Sequence, residues 1–418
     1  MDLDKVLPTG TIQTILVTAI ITSLIIGVYG KKIAEGLWVV VCYPFGWIAE
    51  SIYRWLAPRN PFSISLRSYK KHILRSDLTR IENPVGPSLS VPLEHAFAPL
   101  KLVSGDMQDS IDLFSHVAKS YRTIVLGGPG TGKTTLMKSL VISVIKANAH
   151  PEINELIPVF IVLRQLAKNQ HSVKNAIIAT FGHYHFPSAE KFIDSALSQG
   201  KMLIILDGLD EVGVSREFVV SQILEFCEHD GQQENNNRLL VTCREHSYET
   251  RDLQSSIKEI VRVEPFANHH IRIFLKGWPE HKGRTAINLY AMIQEDSQIR
   301  DICRNPLLLT ILTGLYLDTD HFKIPNSRIQ FYKSAMDELL KKRPARRQIQ
   351  QQFHFDDKRK ILERVALERL ETISEESDDP EEFTFESIRR KAQEVLSSDK
   401  FDIHSSFAQF YPRFVELW

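Results

Sequence analysis

A parallel α/β sheet with helices on both faces, followed by an all-helical region and preceded by a transmembrane helix, is the fold class predicted for this 418-residue sequence. Three observations predict it. Between residues 122 and 263, short apolar runs alternate with segments of helical periodicity, as in a sheet covered on both faces. Beyond Phe266 the periodicity is helical throughout. Near the N-terminus, residues 12–29 carry no charge and are rich in Ile, Leu, Val and Thr.

The first strand of the sheet, Ile124-Val125-Leu126, opens into Gly127-Gly128-Pro129-Gly130-Thr131-Gly132-Lys133-Thr134, which fits the phosphate-loop pattern G-x-x-x-x-G-K-[ST]. The residue types suit the chemistry. Glycines let backbone N–H groups turn inward around phosphates, Lys133 reaches the β/γ oxygens, and the Thr134 hydroxyl can ligate Mg²⁺. Thr135 starts the helix whose N-terminus faces the phosphates. The expected ligands are therefore ATP or ADP with Mg²⁺, on a P-loop NTPase sheet.

Residues 157–163 read as the next strand, with helices at 173–181 and 189–198 behind it. Met202-Leu203-Ile204-Ile205-Leu206-Asp207 is a buried strand that delivers a carboxylate to its C-terminal edge, which makes Asp207 the Mg²⁺-side acid. One turn further on stand Asp210 and Glu211. Either could polarise an attacking water; Glu211 is favoured as the base and Asp210 is its rival. Arg238 to Arg244 forms another strand, whose Thr242 and Arg244 emerge near the γ-phosphate, where a guanidinium can sense or stabilise charge. Residues 259–263 give a fifth strand, and the polar run 231–237 a solvated loop.

The D-G-L-D-E acidic segment at 207–211, the T-C-R strand end at 242–244 and the later Asn305-Pro306-Leu307-Leu308-Leu309-Thr310 together resemble the NACHT family of STAND nucleotide-switch ATPases over roughly residues 90 to 340. The resemblance implies that Pro306 lies close to the base, in a small helical domain behind the nucleotide. Asn305-Pro306 is also an ordinary helix-start signal, and both readings hold together. Residues 93–100 resemble the segment that precedes the phosphate loop in that family and closes over the base. Ile403 to Phe410 has the spacing of the family's H-x-[ST]-F-x-E-[FY] motif, which offers His404 as a phosphate contact, with Gln409 in place of the acid. That motif follows the acidic turn at 375–382 too soon for a full winged-helix fold.

Charge and cysteine content narrow the classes. Lys and Arg number 51, as do Asp and Glu, so bulk charge gives no reason to expect nucleic acid as a partner. The four cysteines lack ligand spacing, which fits a reducing compartment and no structural zinc. The apolar run, a transmembrane helix at about 11–30, is followed by Lys31, Lys32, Arg54 and Arg59; the positive-inside rule then puts the rest of the chain in the cytoplasm, at a plasma membrane. Residues 36–49, with Trp38, Tyr43, Pro44 and Trp47, read as interfacial or as a second span. The domain organisation expected is a membrane anchor at 1–56, a juxtamembrane linker at 57–104, the NTPase domain at 105–266, a helical domain at 267–345 and a partial winged-helix-like region at 346–418. Within the linker, the basic stretch 67–75 is either a face attracted to anionic membrane lipid or a solvated helix face.

Function follows as an expectation: a membrane-anchored ATP-dependent switch with slow hydrolysis, oligomerising with its own kind when a protein trigger, unidentified by sequence, acts on it. The resemblance to short bacterial members of the family implies antiphage defence signalling. The alternative is a membrane-tethered AAA-type motor that remodels proteins. Neither L-S-G-G-Q nor N-K-x-D occurs, which disfavours a transport ATPase and a GTPase.

Overall fold

The computed structural model describes residues 63–81, 90–104, 107–186, 188–231, 236–319, 322–325, 327–338 and 355–373. The expected anchor at 11–30, the segment 36–49 and the His404 motif lie outside the described residues. Among the described residues no helix is long and apolar enough to cross a membrane.

Helix α1 (Ser63–Ile73) leads the described chain, followed by strands β1 (Arg80–Ile81) and β2 (Val91–Pro92), which form a two-stranded antiparallel ribbon, and by the short helix α2 (Leu93–Ala96). The main sheet has seven strands: β3 (Leu102–Ser104), β4 (Met107–Ile111), β5 (Arg122–Gly127), β6 (Ile157–Val162), β7 (Met202–Asp207), β8 (Arg238–Arg244) and β9 (Glu259–Val263), in the order β4-β3-β9-β5-β8-β7-β6. Its parallel part, β9-β5-β8-β7-β6, comprises the five expected strands. Strand β3 pairs antiparallel with both β9 and the edge strand β4; these two strands were not expected, because residues 102–111 are short and polar rather than an apolar run. All six residues of β7 are buried, since strands flank it on both edges and helices cover both faces.

Helices fill the crossovers: α3 (Leu113–Lys119) before β5, α4 (Lys133–Ile145) after it, α5 (Leu163–Asn169), α6 (Val173–His183) and α7 (Glu190–Ser198) between β6 and β7, α8 (Arg216–Gly231) and α9 (Thr250–Leu253) around β8. Ser172 caps α6 and Asp112 caps α3 with a side-chain oxygen on a first-turn N–H. The helical region then runs through α10 (Asn268–Lys276), α11 (Asn288–Glu295), α12 (Ser297–Cys303), α13 (Pro306–Asp318), α14 (Arg328–Asp337) and α15 (Phe355–Ile373). A parallel-dominated sheet with flanking helices and a helical region after it fits a P-loop NTPase.

Within the stretch 57–104, expected to be a linker, the described residues 63–81 and 90–104 make contacts with the sheet and the helical region. Tyr69 of α1 is fully buried, stacks on Phe181 of α6 with ring centroids 4.3 Å apart, and donates its phenol to the Pro158 carbonyl of β6 at 2.8 Å. The short helix expected in this connector is held to the sheet edge by an aromatic anchor. Tyr69→Phe removes only the phenol and strands the Pro158 carbonyl, so it is expected to cost about 1 kcal/mol and lower Tm by roughly 2 °C. Thermal unfolding of the two proteins checks this; an unchanged Tm would mean that water satisfies the carbonyl.

At the far end of the same segment, α2 is fixed from two sides. Glu94 pairs with Lys146 at the end of α4. Gly277, at the end of α10, sits so close that a Cβ there would lie 1.9 Å from the His95 carbonyl oxygen. The helical region thus reaches across to the segment that precedes the phosphate loop.

Candidate functional site

The site lies along the carboxyl ends of the parallel strands, where the β5 loop, the β7 acid and the end of β8 converge. Register explains the convergence. Gly127 of β5 pairs with Arg244 of β8, and Leu206 of β7 pairs with Val241, which brings Asp207 level with Thr242. The loop turns into α4 through Gly132 at φ +89°, a left-handed conformation that glycine adopts without strain.

Asp207 joins the pieces. It is 7% exposed, and both of its oxygens are engaged: Thr134 donates to Oδ2 at 2.9 Å and Thr242 donates to Oδ1 at 2.7 Å. Thr242 also accepts from the Gly208 N–H at 2.8 Å, which pins the turn leading to Asp210 and Glu211. Burial raises the Asp207 carboxyl above the usual carboxylate range, and the two hydroxyls oppose that shift.

Lys133 folds over its own loop, donating to the Gly127 carbonyl at 2.6 Å and the Gly128 carbonyl at 3.0 Å. Burial lowers its pKa, with the Asp210 carboxylate acting the other way. Thr131 donates to the Gly128 carbonyl at 2.9 Å, which tightens the turn through Pro129.

Asp210 and Glu211, alike in sequence, are unlike in place. Asp210 is 6% exposed and takes two hydrogen bonds from one residue, Arg244: Nε to Oδ2 at 2.8 Å and the backbone N–H to Oδ1 at 3.0 Å. Glu211 is exposed toward the cleft, and among the described residues no hydrogen bond holds its carboxylate. Desolvation of that carboxylate raises its pKa, the charges of Asp210 and Asp207 raise it further, and the guanidiniums of Arg164 and Arg244 oppose them. Arg164, at the start of α5, escaped the sequence reading. The signal was the one used for Arg244, a cation just past a strand end, and Val162↔Asp207 pairing puts it beside the acidic turn.

From the helical region, α13 begins directly on the loop. Asn305 Nδ2 donates to the Pro129 carbonyl at 2.9 Å and the Leu307 N–H donates to the Gly130 carbonyl at 3.2 Å. Pro306 comes within 3.7 Å of where a Cβ on Gly132 would stand. Loop, acids and this helix enclose a cleft of about 500 Å³, within the range of small-ligand sites. Thr135 and Lys138 line its phosphate end; Leu93, Phe97, Phe266, Phe274 and Pro306 give it apolar walls. Every residue expected at the site from Pro129 to Thr135, with Asp207, Asp210, Glu211, Arg244 and Pro306, lines this cleft, while Gly127 and Gly128 do not line it and accept from Lys133 through their carbonyls.

The NACHT domain family model matches residues 121–282. This match supports a NACHT-like P-loop NTPase domain in this segment. Among solved structures, C. elegans PCH-2 is similar at 13% identity and TM-score 0.30, over 54% of this chain and 66% of that one, just under two thirds of its length. A katanin structure concerned with self-assembly matches at 13% identity and TM-score 0.29, over 53% of this chain and 76% of that one. Domain III of the Thermotoga maritima replication initiation protein DnaA matches at 14% identity and TM-score 0.31, over 54% and 86%. Likeness at this level carries no argument about what the NACHT domain does.

Proposed function

We propose that the chain is an ATP-dependent switch: it holds ADP when closed, exchanges it for ATP when a protein trigger acts, then self-associates, and hydrolyses slowly. The observation that carries this reading is the seating of α13 on the phosphate loop, because it couples the nucleotide cleft to the position of the helical region. The donor set suits the ligand. Thr134 and Asp207 offer hard oxygens side by side, as Mg²⁺ requires, and Lys133 with the first-turn amides of α4 offers positive charge to phosphates. When bound, Mg²⁺ neutralises charge on the β and γ oxygens.

In this reading Lys133 turns from the loop carbonyls to the phosphates, and Thr242 keeps Asp207 aimed at the metal side. Glu211 takes the proton of the attacking water, and Arg244 stabilises charge at the γ-phosphate. Asp210 holds Arg244 in place. Anchoring by residues 12–29, with the NTPase at the cytoplasmic face, rests on the sequence run and its basic flank. Antiphage signalling rests on the family resemblance alone.

Purified protein prepared without added nucleotide tests the switch. Retained ADP and very slow turnover are expected; an empty site with brisk, steady hydrolysis would overturn the reading in favour of a motor. The pH profile adds a second check. Glu211 acts only as the carboxylate and its pKa is raised, so hydrolysis is expected to fall as pH drops through a value above the ordinary Glu range of about 4.3. Glu211→Gln removes that acidic limb. Initial rates between about pH 4 and 8 compare the two proteins, and an acidic limb that survives unchanged in Glu211→Gln would assign the base elsewhere.

A further inference from the structure

Asn305 performs two jobs with two different atoms. Its Oδ1 accepts from the Leu307 N–H at 3.0 Å and the Leu308 N–H at 3.2 Å, which caps α13. Its Nδ2 faces the other way and donates to the Pro129 carbonyl at 2.9 Å, across 176 residues of sequence. The amide orientation follows from the network, since a flipped side chain would set its NH₂ against two N–H donors and its oxygen against a carbonyl. Gly130 completes the fit: at φ +70° it sits where a Cβ would come within 2.8 Å of both Asn305 Oδ1 and Leu307 Cβ. That glycine is therefore demanded by the helix docked on the loop as well as by the turn itself.

We propose that Asn305 is a positioning residue that latches the helical region onto the phosphate loop through its Nδ2, so that retention of bound nucleotide depends on this hydrogen bond independently of the helix cap. The inference rests on the nucleotide-switch reading for its consequence, though not for its geometry. With Leu307 on Gly130, the latch is a two-point clasp on consecutive loop carbonyls. Those carbonyls belong to the turn whose amides face phosphate. A nucleotide that leaves must pass a loop whose motion the clasp restrains.

Three substitutions separate the jobs. Asn305→Asp keeps the capping oxygen and turns the second arm into an acceptor facing a carbonyl. Asn305→Ser keeps a cap and loses the reach to Pro129. Asn305→Ala loses both functions. In the full chain with Mg²⁺, the dissociation rate of the fluorescent analogue mant-ADP is expected to rise about five- to tenfold in the Asp and Ser variants, the effect of one lost hydrogen bond, while their Tm stays near wild type. Asn305→Ala is expected to show the same rise together with a lower Tm. Wild-type release from the Asp and Ser variants, with fast release from the Ala variant only, would overturn the latch and leave only the cap.

Hydrogen exchange of the nucleotide-free proteins keeps the latch testable apart from the switch. Residues 128–132 are expected to exchange faster in Asn305→Asp while α13 stays protected. Unchanged exchange there would overturn the latch even where mant-ADP binds. If wild type binds no mant-ADP, the switch reading fails, and the exchange result alone decides the latch.

Discussion

Lys133→Ala is expected to weaken ATP and ADP binding by about 100-fold or more, because a charged hydrogen-bond partner of the phosphates is lost and hydrogen bonds to charged groups are each worth about 1.5–3 kcal/mol. Stability is expected to move differently. Burial lowers the Lys133 pKa in the folded chain. For a base, a lowered folded value means that the charged form is disfavoured by folding, a cost present below the folded pKa and gone above the unfolded one. Removing the ammonium relieves that cost. Against this stands the loss of its bonds to the Gly127 and Gly128 carbonyls. The nucleotide-free variant is thus expected to unfold close to the wild-type temperature, and the difference appears on adding ADP. Ligand at 100 times Kd stabilises a folded protein by about 2.7 kcal/mol, a rise that wild type shows and the variant does not. A variant that loses stability without ligand and still gains it with ADP would make Lys133 a structural residue. Calorimetric titration with ADP gives the affinity directly.

The parts of this site that were legible in sequence are those whose chemistry is contiguous in the chain. Residues 127–134 need a strand before them and a helix after, and both could be read from neighbours within a few residues. Asp207 ends an apolar run, so its delivery to the sheet edge followed from the strand itself. Parallel pairing then brought Arg244 opposite Gly127, a register the alternation of strands and helices implied without specifying. What escaped depends on docking between distant segments. Nothing around Asn305 announces that its second amide arm ends on Pro129, because that bond exists only once α13 lies on the loop. Tyr69 looked like one residue of a basic, proline-flanked connector; its partner Phe181 lies in a helix more than a hundred residues later. The hairpin of β3 and β4 was missed for a different reason: its residues form no apolar run, so neither strand stood out in the sequence. The family match to residues 121–282 ends before α13 begins, so the clasp on the loop is supplied from beyond it.

Glu211→Gln is expected to leave nucleotide affinity unchanged and to slow hydrolysis about 10²- to 10³-fold, the scale on which a positioned general base acts. The choice between the two adjacent acids rests on what each is already doing. Asp210 has both oxygens committed to Arg244, through the guanidinium Nε and the backbone N–H, and it is nearly inaccessible. A carboxylate so held is committed to positioning Arg244. Glu211 faces the cleft with a raised pKa, closer to the working pH, as a base requires. Asp210→Asn is then expected to behave as a positioning variant. It loses the charge opposite Arg244, and the cost to stability is about 1–2 kcal/mol because that guanidinium is 39% exposed and water rescreens it. Its hydrolysis falls through a displaced Arg244, so its pH profile keeps the acidic limb that Glu211→Gln abolishes. Single-turnover hydrolysis at saturating ATP, measured across pH for both variants, separates chemistry from binding. The opposite pattern, an acidic limb lost in Asp210→Asn and retained with wild-type rates in Glu211→Gln, would exchange the two roles and require Arg244 to let go of Asp210 before each turnover.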